Sequence, residues 1–283
     1  MWKIRDREWD LDQRCLVMGI LNLTPDSFSD GGQFTTVDQA VKRGLEMTQE
    51  GADILDLGAE STRPGAEPVS LEEECRRLLP VVEALSREVE TPISIDTYKA
   101  EVARRCLDVG ASIINDVTAM GCNFESESEQ VNEAMIDAVR EHRAGVILMH
   151  MQGTPQTMQQ SPTYEDAVEE ILRFFQRRIE TLTSLGIECE SLAVDPGVGF
   201  GKNDDHNWAL IRQLSQFQSL NRPVCLGVSR KGLLGRLLDK PVERRDAGSL
   251  AIACHAMSQK VVQILRVHDV AGTSDAVRVF SQL

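Results

Sequence analysis

"CLVMGILNLTPDSFSDGG" (Cys15 to Gly32) divides into two parts that obey different rules. The opening "CLVMGIL" is apolar without a break and too short for a helix, as expected of a strand buried on both faces of a parallel sheet. From Asn22 onward the chain is polar, with a proline, two glycines, two aspartates and a single phenylalanine. Pro, Asp, Ser and Gly all favour turns for local reasons, so the plain reading is a surface turn. Its place directly after a buried strand allows a second reading, a working loop at the strand's end.

The apolar half recurs along the chain. "DILDLG" (53–58), "PISID" (92–96), "SIIND" (112–116), "GVILMH" (145–150), "LAVDPG" (192–197), "PVCLGVS" (223–229) and "VVQILRVHD" (261–269) are each short and nearly continuous in apolar character. Helical patterns lie between them. "VDQAVKRGLEMTQEG" (37–51) stops on Gly51, and "SLEEECRRLLPVVEALSREV" (70–89) opens with a Ser70 and Glu73 capping box. The alternation predicts an α/β fold, a (β/α)8 TIM barrel of parallel strands occupying residues 1–283 as one domain, in preference to a doubly wound sheet.

Composition narrows the function. A net charge of −14 argues against sequence-independent binding to nucleic acid or to an anionic membrane. Surface charge is screened within about 8 Å at physiological salt, so a few converging cations can still hold an anionic small molecule. The seven cysteines are scattered and never form C-x-x-C, which reads as reduced core thiols in a cytoplasmic protein. "MWKIRDREWD" has no apolar leader segment, and no apolar run is long enough to span a membrane. The five histidines show no zinc-site spacing. "FESESEQ" (124–130) reads as a solvated acidic loop.

In a barrel of this kind chemistry belongs at the C-terminal ends of the strands. Those ends carry Asn22, then Asp56 and Glu60, Asp96, Asn115 and Asp116, Met149 and His150, Asp195, "GVSRK" (227–231), and Arg266, His268 and Asp269. Singly, each acid or amide can cap a helix or close an Asx turn, and Asp56, Asp116 and Asp269 are the clearest candidates for that role. Together they predict polar groups meeting at one mouth, where each needs a partner. Asp96, Asn115 and Asp195, with Lys231 as donor, match a flat heterocycle with an amino-pyrimidinone edge. Arg266 can stack on such a ring, with Met149 and Phe200 as walls, although each of these two taken alone reads first as a core residue. Arg63, Lys231, Arg266 and His268, with Asn22, suit phosphate groups and a divalent cation. Ser229 is expected as N-cap of the helix "RKGLLGRLL" (230–238), whose free N–H groups suit a carboxylate. "GFGK" (199–202) resembles a phosphate loop but lacks the full spacing.

In order, "GILNLTPDSFSDGG", "GADILDLGAESTRPGA", "ISIDTYK", "IINDVTA", "LMHMQGTP", "DPGVGFGK", "SRKGLLG" and "RVHDV" resemble the dihydropteroate synthases over nearly the whole chain. The resemblance implies a homodimer of barrels that joins p-aminobenzoate to 6-hydroxymethyl-7,8-dihydropterin diphosphate, releasing diphosphate with the help of Mg²⁺. It places the pterin on Asp96, Asn115, Asp195 and Lys231, with Met149, Phe200, Gly227 and Arg266 around it. It places diphosphate on Asn22, Thr62, Arg266 and His268, with Asn22 on the metal, and p-aminobenzoate on Phe28, Thr62, Arg63, Pro64, Ser229 and Lys231. Catalysis falls to Asn22, Asp96, Lys231, Arg266 and His268.

Two departures stand out: Gln152 where many relatives carry Arg, and a long "CNFESESEQ" (122–130). An aromatic amine is neutral at pH 7, so no general base is expected, and the hard step is departure of diphosphate in an SN1-like displacement. The opening loop then gains a task, folding over the mouth with "STRPG" to exclude water. Two other readings share the pterin edge, a pterin-binding methyltransferase domain and a pterin-binding protein without turnover.

Overall fold

The computed structural model describes residues 1–11, 14–24, 33–61, 65–121 and 130–283. Eight parallel strands form the inner wall: β3 (Leu16–Asn22), β4 (Ile54–Gly58), β5 (Ile93–Asp96), β6 (Ile113–Asp116), β7 (Gly145–Met149), β8 (Leu192–Asp195), β9 (Cys225–Leu226) and β10 (Ile264–Val267). They are the eight apolar runs of the sequence, and they pair in the order β8-β7-β6-β5-β4-β3-β10-β9. The two ends of that series meet through a parallel bridge from Val194 to Val224, with Val194 N donating to Pro223 O at 2.9 Å. The sheet thereby closes into a (β/α)8 barrel, and no helix among the described residues is long and apolar enough to cross a membrane.

Outside the wall run α1 (Gln33–Glu50), α2 (Leu71–Glu88), α3 (Ala100–Asp108), α4 (Glu133–His142), α5 (Ala167–Ser184), α6 (Asp204–Arg212), α7 (Gly232–Leu238), α8 (Asp246–Ser258) and α9 (Val270–Phe280). Ser70 caps α2 as expected, accepting from Glu73 N at 3.2 Å. The reciprocal half of the capping box does not form, because the Glu73 carboxylate is taken by Arg76 and Arg77. Gly51 follows α1 with φ +101°, where a Cβ would strike Ser274 Oγ at 2.4 Å.

The sequence reading missed the hairpin β1 (Trp2–Ile4) and β2 (Arg7–Trp9), which the charged "MWKIRDREWD" disguises. In β1 the apolar Trp2 and Ile4 flank the charged Lys3, and the Trp2 and Ile4 side chains seal the N-terminal end of the barrel. Trp2 is fully buried, its indole N–H donates to Ser191 O at 2.8 Å, and its ring joins Ile4 and Leu11 against the barrel floor. The six described cysteines are all free thiols.

Candidate active site at the barrel mouth

Strand side chains alternate between the two faces, so the barrel interior is read two residues at a time. The lower inward layer is apolar: Met18, Ile54, Ile113, Ile147, Ala193, Cys225 and Ile264 pack in one cluster. Two residues further along the same strands stand Asp56, Asn115, Met149, Asp195, Gly227 and Arg266. The change from dry floor to polar rim is thus written within β4, β6, β8 and β10, whereas β3 keeps Ile20 at that level and turns polar at Asn22. Register carries it sideways, with Asn22 beside Gly58, Gly58 beside Asp96, Asp96 beside Asn115, and Met149 beside Asp195.

Arg266 is the hub. Its Nε donates to Asp56 Oδ2 at 2.6 Å and its Nη2 to Asp96 Oδ2 at 2.8 Å, while Asn115 Nδ2 approaches Asp56 Oδ2 at 3.3 Å. Asp56 is fully buried, and its second oxygen, Oδ1, has no hydrogen-bond partner among the described residues. Read from sequence as a cap or turn residue, Asp56 is neither: it sits inside β4 and holds the hub. The available signal was its inward phase, shared with Ile54 and Gly58. The other two acids in that group behave as read. Asp116 closes a turn onto Thr118 N and Met120 N, and Asp269 caps α9 through Gly272 N.

On the opposite side, Asp195, Lys231 and Arg266 surround Gly227. A Cβ at this glycine would lie 3.5 Å from Asp195 Oδ2, 3.8 Å from Lys231 Nζ and 3.9 Å from Arg266 Cδ. The Lys231 amine sits 4.6 Å from the Phe200 ring centre and donates to Val198 O. Met149 and Phe200 belong to a small apolar cluster with Val117, Met151, Met158 and Tyr98 at the same end of the barrel.

Burial governs the electrostatics. Desolvation pushes the Asp96 carboxyl well above its ordinary range, against the pull of Arg266, and it raises Asp195 against the pull of Lys231. The same cause pulls Lys231 down to about 8, with Asp195 opposing. Arg266 also feels the desolvation penalty, but Asp56 and Asp96 outweigh it and keep the guanidinium charged. Carboxylates that resist ionising and an amine that resists protonation mark a site suited to a ligand with both donors and acceptors.

Two expectations need correction. Ser229 does not cap a helix: Arg230 adopts φ +59°, which breaks the helical path, and α7 starts at Gly232 with Lys231 as N-cap. The Ser229 hydroxyl instead lies 2.9 Å from His268 Nδ1 and accepts from His268 N at 3.1 Å, joining the ends of β9 and β10. His150 does not join the mouth. Met149 takes the inward phase of β7, so His150 turns outward and packs edge-on against Phe174 of α5 at 5.0 Å. Asn22 stands partly buried at the end of β3. Phe28, Thr62, Arg63, Pro64 and the acidic segment after Cys122 lie outside the described residues, whereas Glu60 is described and pairs with Lys99.

The pterin binding enzyme family matches residues 18–268. The dihydropteroate synthase of Haemophilus influenzae is 47% identical over 264 residues, covering 93% of this chain and 92% of that protein. The crystal structure of the Yersinia pestis dihydropteroate synthase with a sulfonamide drug superposes with a TM-score of 0.88 at 43% identity, covering 99% and 98% of the two chains. That of the Xanthomonas albilineans enzyme in complex with 7,8-dihydropteroate gives a TM-score of 0.84 at 42% identity, covering 98% and 96%.

Proposed function

Because the chain belongs to the pterin binding enzymes, and among them to the dihydropteroate synthases, we propose how its barrel mouth joins a pterin diphosphate to p-aminobenzoate. The observation that carries the proposal is the meeting of Asp96, Asn115, Asp195, Lys231 and Arg266 at one end of the barrel, drawn from strands far apart in sequence. The pterin's amino-pyrimidinone edge faces Asn115, Asp195 and Lys231, which bring acceptors and a donor to the mouth. Arg266, held along one edge by Asp56 and Asp96, offers its flat face to the ring. Met149, Phe200 and Gly227 shape the slot, and the absent side chain at Gly227 leaves room beside Asp195 and Lys231.

In the reaction the C–O bond to diphosphate breaks, the amine nitrogen forms a C–N bond with the pterin methylene, and the amine proton passes to solvent. Positive charge developing on the methylene is steadied by the pterin ring and by the carboxylates of Asp96 and Asp195. Asn22 and His268 receive the diphosphate at the rim, with Ser229 fixing the His268 ring at 2.9 Å. The p-aminobenzoate lies toward Ser229, Lys231, Phe28, Thr62, Arg63 and Pro64. A Mg²⁺ ion at the rim would be held by the amide oxygen of Asn22 together with the substrate, since the described residues contain no cluster of three His, Cys, Asp or Glu. When bound, Mg²⁺ would offset negative charge on the leaving diphosphate.

The protein acts as a cytoplasmic homodimer, each copy one unit over residues 1–283. The surface that supports pairing is α8, whose outward positions include the small exposed Ala247 and Ala251. Diphosphate release measured with each substrate alone and with both tests the function. Release that needs both substrates and stops on chelation of Mg²⁺ supports it; release without p-aminobenzoate, or none, contradicts it.

A further inference from the structure

The "GFGK" segment holds a buried lysine that the reaction above does not use. Lys202 is 1% exposed, and its amine makes no ion pair among the described residues. It donates to Phe200 O at 2.8 Å and to His150 O at 3.3 Å, and it lies 3.1 Å from His150 Nδ1. No phosphate can reach a nitrogen so enclosed, which removes the phosphate-loop reading of this motif.

The turn around it is tightly constrained. Gly197, Gly199 and Gly201 all have positive φ. A Cβ at Gly197 would fall 1.9 Å from His150 O, and one at Gly201 would fall 2.2 Å from Gln152 O. The turn therefore lies backbone against backbone on residues 150–152, an arrangement that brings carbonyls together and demands donors. The donors are supplied one by one. Phe200 N takes Gly197 O, Lys231 takes Val198 O, Gln159 takes Gly199 O, Lys202 takes Phe200 O, Tyr164 takes Gly201 O and Asn207 takes Lys202 O. Of these donors only Lys202 ties the turn to the end of β7, through His150 O.

We infer that Lys202 is a positioning residue for the pterin subsite: its buried side-chain nitrogen fastens the 197–201 turn to β7, so that Phe200 and the Val198 carbonyl both meet Lys231. The inference rests on the proposed function for the identity of that subsite. Burial drives the Lys202 ammonium well below its usual value, with Lys231 adding repulsion, and His150 is held neutral for the same reason. A neutral amine donating to two carbonyls while accepting from His150 Nδ1–H leaves no unmatched charge beneath the turn.

Lys202→Met keeps the length of the side chain and removes its donors. The full-length variant and wild type are compared by calorimetry with pterin diphosphate, by steady-state kinetics in both substrates, and by amide exchange read on peptides. The expected result is pterin diphosphate binding weakened about tenfold, the loss of roughly one buried hydrogen bond, with the KM for p-aminobenzoate within about twofold of wild type. Exchange should quicken in the peptide holding residues 197–201 and stay unchanged in α3. Unchanged pterin binding, an equal loss for both substrates, or faster exchange throughout the barrel overturns the inference. Should wild type bind no pterin diphosphate, the proposed function fails, and the exchange comparison alone decides the role of Lys202.

Discussion

Arg266 Nε lies 2.6 Å from Asp56 Oδ2, joining β10 to β4 across the intervening β3. Asp96 shares the same guanidinium, but Asp56 is the fully buried partner and also receives Asn115. Asp56→Asn removes one of two negative charges that hold Arg266 upright. Steady-state kinetics should show kcat/KM for pterin diphosphate falling by about 30-fold or more, the usual scale for truncating a buried charge pair. A loss under threefold would show that Asp96 alone suffices.

Gly227 tests the shape of the slot without straining the fold. The contacts a Cβ would make, at 3.5, 3.8 and 3.9 Å, are ordinary van der Waals distances. Gly227→Ala should therefore leave the thermal midpoint within about 2 °C while weakening pterin diphosphate binding roughly tenfold. Calorimetry and thermal unfolding on the same sample check both halves. A variant that binds pterin normally would mean that the ring lies elsewhere.

Lys231 carries a pH prediction with opposite signs for activity and stability. Its amine is pulled down to about 8 by burial, from 10.5 in the unfolded chain. As pH rises through about 8 the folded enzyme loses the positive charge that strengthens this donor, so kcat/KM for pterin diphosphate falls. Over the same interval, up to the unfolded value, the unfolded chain binds a proton that the folded chain does not, so this lysine's effect on stability becomes more favourable as pH rises. Comparison with Lys231→Met across pH 7–10 isolates both effects. An alkaline limb that persists in the variant assigns it to another group.

Trp2 governs stability from the far end of the barrel. Trp2→Ala empties the floor beneath Ile113, Ile147 and Ala193 and leaves Ser191 O without its donor, at a cost of about 3–5 kcal/mol in urea unfolding. At low temperature KM for both substrates should stay near wild type, because the polar rim lies beyond the apolar layer. A large change in KM would mean that floor and mouth are mechanically coupled.

The frame was legible because parallel strands buried on both faces must be short and apolar, and each of the eight runs became a strand. Asp195 and Asn115 were legible for a related reason, a polar group ending an apolar run. Asp56 was not, because one sequence cannot distinguish an acid that closes a turn, as Asp116 does, from one that reaches across the barrel. Ser229 was misread because nothing in "SRKG" announces the left-handed turn at Arg230 that delays the helix. The N-terminal hairpin escaped notice because it is two three-residue strands among charged residues, stabilised by Trp2 entering a floor built elsewhere in the chain.

The most direct test of the pterin site is a crystal structure of this protein with 7,8-dihydropteroate. The pterin ring is expected between Arg266 and the Met149 side of the mouth, with ring nitrogens and oxygen in hydrogen-bond reach of Asp96, Asn115, Asp195 and Lys231. A ring bound at the same occupancy outside that group of four would contradict it.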